Sequence, residues 1–500
     1  MHVLWKPLGD TIKPMNAPSR RSFVKWISTT PLLAALPAIA AQPRKKPNFV
    51  FILMDDLGQR DISCYGSTFY ETPHIDRLAA EGMRFTDAYA SCPVCSPTRA
   101  SILSGKYPAR LKLTDWIGGN RHGRLRSADY IKQLPLEEVT LAEALREAGY
   151  ATGFVGKWHL GKEDYYPDRN GFDINIAGND HGSPPSHFWP YKNAKGDYKL
   201  DLAGGKEGEY LSDRLTDEAI KWMESRKDRP FLLYLSHYAV HNPQQAKPEL
   251  VEKYKKKLES TPPAQQRFVR DLGRDVRQVQ DSPVYAAMVQ SMDESVGRIM
   301  DKLRQLGLHD NTVVIFTSDN GGLSTAEGTP TSNAPLRAGK GWCYEGGIRE
   351  PLIIKWPGVT KPGSTCDVPV TSTDFYPTML EMAGLPLRPR QHMDGISLAP
   401  VLRGAGKLDR QAIYWHYPHY SNQGGPPSAA IRSGDWKLIE FFEDGHVELY
   451  NLREDIAEKD DLANRHPQKA KELTDMLHRW LKDVDAAMPT PNPSWKPAAG

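Results

Sequence analysis

Five cysteines in 500 residues leave little material for a disulfide framework, and the chain has no internal repeat that would suggest a solenoid or propeller. Long apolar runs are also scarce. The most apolar stretch near the start, Trp26 to Ala41, is broken by Ser28, Thr29, Thr30, Pro31 and Pro37, which excludes a stable membrane span. The formal net charge is only +3, and residues 1–41 carry five cationic side chains against one acidic, so the remainder is close to neutral. Nothing in that balance implies nucleic acid as a partner. A hydrophobic fraction of 39% with 25% charged residues reads as globular, and the length predicts two domains.

The basic excess has a local explanation. Ser19-Arg20-Arg21-Ser22-Phe23-Val24-Lys25 precedes the modest apolar run, which ends in small residues around Ala38-Ile39-Ala40. The pattern resembles a bacterial twin-arginine export signal spanning residues 1–41, cleaved near Ala40 or Ala41, with Met15 as an alternative start. It implies recognition by the twin-arginine export machinery and a periplasmic or otherwise exported protein. Such substrates fold before they cross, so Cys64, Cys92, Cys343 and Cys366 are expected as free thiols.

Apolar strands ending in polar clusters recur along the chain. Asn48 to Met54 runs into Asp55-Asp56, and Tyr150 to Val155 into Gly156-Lys157-Trp158-His159. Phe231 to Ser236 leads to His237 through Pro243, and Thr312 to Thr317 to Ser318-Asp319-Asn320-Gly321. Continuous apolar runs suit strands buried on both faces, and α/β sheets present ligands at the carboxyl ends of such strands. Helices are predicted from Thr72-Pro73 to Ala80, over Leu141–Ala148 behind Thr140, and from Ser282-Pro283 to about Leu303. A further strand, Pro351 to Trp356, and a helix around Thr378 to Ala383 complete this part.

The expected fold class is therefore α/β, with a large mixed, mostly parallel sheet flanked by helices over residues 42–409. Short strands at Ala412–His416, Ala429–Arg432, Trp436–Phe441 and Val447–Tyr450, then a helix from Pro467 to Val484, predict a C-terminal antiparallel subdomain over 410–486. The Pro-rich tail, 487–500, is either draped over the surface or disordered.

Three carboxylates and an amide, Asp55, Asp56, Asp319 and Asn320, form a hard oxygen set suited to Ca²⁺ rather than Zn²⁺. Cys95-Ser96-Pro97-Thr98-Arg99, followed by Leu103 and Gly105, sets a nucleophile candidate at a helix start with an arginine one turn later.

This last stretch resembles the signature of the type I sulfatases of the alkaline phosphatase superfamily, and the resemblance extends through Met54-Asp55-Asp56-Leu57-Gly58, Gly156-Lys157-Trp158-His159, His241-Asn242-Pro243, Ser318-Asp319-Asn320-Gly321, Gly339-Lys340-Gly341 and Gly346 to Pro351. It implies that a formylglycine-generating enzyme oxidises Cys95 to an aldehyde before folding. The aldehyde hydrate attacks the sulfur with one hydroxyl, and the other drives elimination of sulfate. It further implies one Ca²⁺ held by Asp55, Asp56, Asp319, Asn320 and the modified Cys95. Arg99 would hold the hydrate, Lys157 and Lys340 the sulfate oxygens, His159 would act as base, and His241 would protonate the leaving alcohol. Rival functions are a phosphonate monoesterase or phosphodiesterase of the same superfamily, and a non-catalytic glycan-binding protein in which Cys95 is never oxidised.

His181, His187, Arg337 and Trp342 are candidate pocket residues. Two polar, aromatic-rich loops, His181 to Tyr191 and Trp415 to Pro427, are predicted to overhang the sheet's carboxyl edge. An exported protein with a site closed at one end would act on the ends of sulfated carbohydrates, with terminal galactose or N-acetylgalactosamine as the leading candidates.

Overall fold

The computed structural model describes residues 46–271 and 273–496, so the export-signal reading of residues 1–41 lies outside the described residues. Among the described residues, nine strands form the principal sheet. Its main path runs Ser364–Cys366, Met83–Tyr89, Arg349–Lys355, Thr312–Ser318, Asn48–Met54, Phe231–Ser236, Ala151–Gly156, Ile174–Ile176, with Val370–Thr371 added on Met83–Tyr89. The last five strands of that path are mutually parallel, so their carboxyl ends lie along one edge. Arg349–Lys355 runs antiparallel to both of its neighbours, which makes the sheet mixed.

Asn48–Met54 shows why the sheet sits where it does. All seven of its residues are buried. Because side chains alternate across a strand, Val50, Ile52 and Met54 enter one core with the helices Pro73–Glu81, Leu211–Ser225 and Pro283–Gln305, while Phe49, Phe51 and Leu53 enter another with Cys95–Ser104, Leu141–Glu147 and Phe375–Met382. Each fully buried large side chain contributes about 1.5–3 kcal/mol. The helix starts follow local chemistry. Thr140 accepts from the Glu143 amide while Glu143 reaches back, a capping box, and Ser282 caps Pro283–Gln305 through the Tyr285 amide. At Pro73–Glu81 the expected Thr72 cap is not made; the Thr72 hydroxyl bonds Ser63 and Asp76 instead.

Ile413–Tyr417, Ser428–Ser433, Trp436–Phe441 and Val447–Asn451 pair in order as an antiparallel sheet. One face packs under Pro467–Asp483 through Ile431, Leu438, Leu449, Leu473 and Leu477. The other meets the principal domain through Tyr89, Trp342, Tyr344, Trp415 and Ile439. Buried Lys437 ties the two parts together, pairing with Glu345 at 2.9 Å and Glu458 at 2.8 Å. The tail is draped as far as it is described, with Thr490–Pro491 pairing with Leu125–Arg126. All five cysteines are free thiols. No helix among the described residues is long and apolar enough to cross a membrane.

Candidate active site

Four parallel strands deliver the site. Asn48–Met54 ends in Asp55 and Asp56, Thr312–Ser318 in Asp319 and Asn320, Ala151–Gly156 in Lys157 and His159, and Phe231–Ser236 opens the segment that carries His241. Cys95 begins the helix Cys95–Ser104, in which every residue is buried, and Arg99 follows one turn later on the same face. Asp56 (φ 60°) and His159 (φ 57°) both hold left-handed backbone, a conformation that costs free energy and concentrates at functional sites.

The charges are paired tightly. Lys157 Nζ donates to both Asp55 oxygens at 2.9 and 2.7 Å. Lys340 Nζ lies 2.6 and 2.8 Å from the two oxygens of Asp56. Arg99 donates through Nε to Asp319 Oδ2 at 2.8 Å, with Nη2 ion-paired to the same oxygen at 2.7 Å, and through Nη1 to Ser236 Oγ and the Lys157 carbonyl at 2.7 and 3.1 Å. Burial pushes the Asp55 carboxyl up to about 8, with Lys157 pulling the other way and Asp319 and Asp56 adding to the rise. Burial acts on Asp56 in the same sense, but Lys340 and His241 outweigh it and hold that carboxyl well below its ordinary range.

The donor set fits a hard cation. Ligand atoms of Asp55, Asp56 and His241 lie within 4.8 Å of one another. Asn320 donates its amide N–H to Asp56 Oδ1 at 2.8 Å, while its own buried Oδ1 has no hydrogen-bond partner, an acceptor that a cation would satisfy. Asp319 joins through the Asp56 amide, which donates to its Oδ1 at 3.2 Å.

Cys95 Sγ stands 3.5 Å from His159 Nδ1. Nε2 of that ring lies 3.1 Å from the Ile117 carbonyl, which can only accept, so Nε2 carries the proton and Nδ1 presents a lone pair to Cys95. His241 is fixed the other way round, with Nδ1 donating to the Asn242 carbonyl at 2.9 Å and Nε2 lying 3.6 Å from Asp56. Burial keeps both rings neutral, lowering His159 well below its usual value and His241 to about 3. The Cys95 thiol is itself raised by burial, against the pull of Lys157 and Lys340.

Above these groups lies a cavity of about 210 Å³ lined by Cys95, His159, His241, Lys340, Trp116, Glu327, Gly182, Ser183, Asn422 and Gln423. Both predicted loops contribute to its wall. Of the four candidate pocket side chains, none lines it. His181 stacks on Tyr198 and bonds Asp180; Arg337 is bound by Asp271, Tyr450 and the Glu458 carbonyl. His187 sits underneath, its Nε2 donating to the His241 carbonyl at 3.0 Å, and Trp342 donates to the Gln423 carbonyl at 3.1 Å, holding that loop. Trp116 and Glu327 were not foreseen from the sequence, and Asn422 and Gln423 only as part of the 415–427 loop; all four stand on irregular backbone without periodicity.

Comparison with known proteins decides the family. The model of the family described as Sulfatase matches residues 47–385, and the one described as N-sulphoglucosamine sulphohydrolase, C-terminal, matches residues 338–487. The chain belongs to the sulfatase family. Within it, a relative named Sulfatase from Formosa agariphila is 34% identical over 535 aligned positions, covering 90% of this chain and 91% of that one. N-acetylgalactosamine-6-sulfatase of Rattus norvegicus is 33% identical, covering 77% and 71%. A crystal structure of Ps i-CgsB in complex with k-i-k-neocarrahexaose superposes with a TM-score of 0.73 at 29% identity, covering 90% of this chain and 95% of that one. The chain is thus a sulfuric ester hydrolase of the type I, formylglycine-dependent class.

Proposed function

We propose that this sulfatase removes sulfate from the ends of sulfated carbohydrate chains outside the cytoplasm, with the aldehyde hydrate made from Cys95 as nucleophile. The observation that carries the reading is the pairing of Cys95 with an unprotonated His159 Nδ1 at 3.5 Å. A cysteine whose thiol is held protonated by burial is a weak nucleophile, and a buried first helical residue is out of reach of a modifying enzyme once the chain has folded. Both points favour oxidation of Cys95 before folding.

Each residue then has a task. Arg99, fixed by Asp319, Ser236 and the Lys157 carbonyl, holds the hydrate. Lys157 and Lys340 hold the non-bridging sulfate oxygens, where negative charge persists through the transition state. His241 Nε2, whose basicity rises when the anionic ester offsets the two lysines, takes up a proton from solvent as substrate binds and gives it to the departing alcohol. His159 Nδ1 takes the proton from the second hydroxyl, which re-forms the aldehyde and releases sulfate. A Ca²⁺ ion at Asp55, Asp56, Asp319, Asn320 and the Cys95 position would supply positive charge that lowers the nucleophile's pKa.

The chain-end preference rests on the cavity. About 210 Å³ is below the roughly 300–1,000 Å³ of sites for drug-sized ligands and suits one sugar ring. Galactose or N-acetylgalactosamine is the proposed terminal sugar, in keeping with the relatives named above. The N-terminal segment is proposed as the twin-arginine signal that would bring the enzyme to such substrates. Mass spectrometry of the intact peptide across Cys95, together with a digest of defined sulfated oligosaccharides, tests the reading. Aldehyde at Cys95 and loss of terminal sulfate are expected. Unmodified, inactive protein would favour a glycan-binding role, and preference for aryl phosphodiesters would favour the phosphoesterase alternative.

A further inference from the structure

A second cavity, about 260 Å³, opens beside the catalytic one and is lined by Arg121, His122, Arg274 and the Tyr420–Gly425 turn. The two cavities share that turn: Asn422 and Gln423 face the catalytic side, while Tyr420, Ser421, Gly424 and Gly425 face the other. The turn is tight, closed by Ser421 N to the Gly425 carbonyl at 2.9 Å and Gly425 N to Ser421 Oγ at 2.7 Å. Its backbone also rests on the segment that bears Lys340, since a side chain added at Gly425 would fall 1.8 Å from the Gly341 carbonyl. The two cavities thus lie on either side of a single turn.

Both cavities carry cationic side chains, but only the catalytic one has an acidic residue in its lining. Glu327, bonded by Gln423 Nε2 at 2.6 Å, places a carboxylate in the catalytic wall, which disfavours a further anion on the sugar being desulfated. Across the turn, neither Arg121 nor Arg274 makes an ion pair among the described residues, and Arg274 lies flat on Gly424, where an added Cβ would sit 1.8 Å from its Nε. Two unpaired guanidinium groups in a concave site are a receptor for a tetrahedral or planar anion.

We propose that the Arg121–Arg274 cavity binds an anionic group, a sulfate ester or a carboxylate, on the sugar adjoining the one that is desulfated. The inference rests on the carbohydrate reading above and assigns it a substrate: a glycan charged on consecutive sugars.

The test compares kcat/KM for oligosaccharides with identical sulfated chain ends whose adjoining sugar carries no charge, a sulfate, or a uronate carboxylate. The wild-type enzyme should favour one or both charged substrates over the neutral one by about tenfold, the worth of one charge-assisted hydrogen-bonded contact; which arm shows it identifies the anion. An Arg121→Gln, Arg274→Gln double variant should bring the ratio near one, and salt on the order of 0.5 M should compress it in the wild type. Arg121→Lys with Arg274→Lys should keep part of the preference, and thermal midpoints check folding. A wild-type ratio near one, or a ratio that survives in the folded double variant, overturns the proposal. Should the enzyme turn over no carbohydrate sulfate, the functional reading fails, and the same ratio, measured as equilibrium affinity of the Cys95→Ala protein for the three oligosaccharides, judges the cavity separately.

Discussion

The ring of His159 is locked between Cys95 and the Ile117 carbonyl, with Nδ1 3.5 Å from the sulfur and Nε2 3.1 Å from the carbonyl oxygen. A base so oriented acts on the second half of the reaction, when the sulfated hydrate collapses. His159→Ala should therefore lower kcat by about 10²–10⁴ and let the sulfated enzyme accumulate. Intact-protein mass spectrometry after mixing with substrate reads this directly; slow turnover with no sulfated species would place His159 elsewhere in the mechanism. Cys95→Ala should abolish turnover with an unchanged thermal midpoint.

Removal of divalent metal should abolish activity, and Ca²⁺ should restore it better than Zn²⁺, because the carboxylates of Asp55, Asp56 and Asp319 and the orphaned Asn320 Oδ1 outnumber the one nearby imidazole, His241. Asp319→Ala should behave like the metal-free protein and should also leave Arg99 without its closest carboxylate partner. Rescue by Zn²⁺ or Mn²⁺ alone would contradict the calcium assignment.

Gly182 is the closest neighbour to test without touching a reacting group. A Cβ there would lie 2.4 Å from His159 Cε1. Gly182→Ala should push the ring off its line to Cys95 and cost about tenfold or more in kcat while leaving the thermal midpoint nearly unchanged. Unaltered kcat would show that the ring has room to give.

Asp115 provides a pH test of stability. It is buried, accepts hydrogen bonds from Tyr417 Oη and the Trp116 amide, and burial pushes its carboxyl up to about 7. The folded state then holds a proton that the unfolded state loses above about 4, so this residue's contribution is fully present at low pH and is lost as pH rises toward 7. Asp115→Asn keeps both acceptor contacts and does not titrate. Relative to the wild type it should gain on the order of 2–4 kcal/mol between pH 4 and pH 8, measured by denaturant unfolding. A constant difference across that range would contradict the assignment.

The buried strands and their terminal clusters were legible because parallel strands covered on both faces are continuous apolar runs, and chain direction alone brings Asp55, Asp319, Lys157 and His241 to one edge. The Met83–Tyr89 strand was not legible. It is not a continuous apolar run, since partly buried Arg84 and Thr86 interrupt it, and its position depends on antiparallel pairing with Arg349–Lys355, which local sequence does not specify. The pocket wall was read only as far as its loops. His181 and Arg337 have the right chemistry for sugar recognition, yet their side chains are engaged by Asp180 and Asp271, while Glu327 and Gln423 reach the cavity from irregular backbone. Pairing between distant segments decides which polar side chain is free, and composition does not report it.

The Tyr420–Gly425 turn belongs to the connection between Ile413–Tyr417 and Ser428–Ser433, neighbouring strands of the smaller sheet that stay hydrogen-bonded whatever the loop between them contains. The reacting groups hang from a different sheet. Lengthening or exchanging residues 418–427 would thus remodel both cavities while leaving Cys95, His159 and the acidic cluster in place, so that substrate fit and bond-breaking are housed in separately alterable parts of one chain.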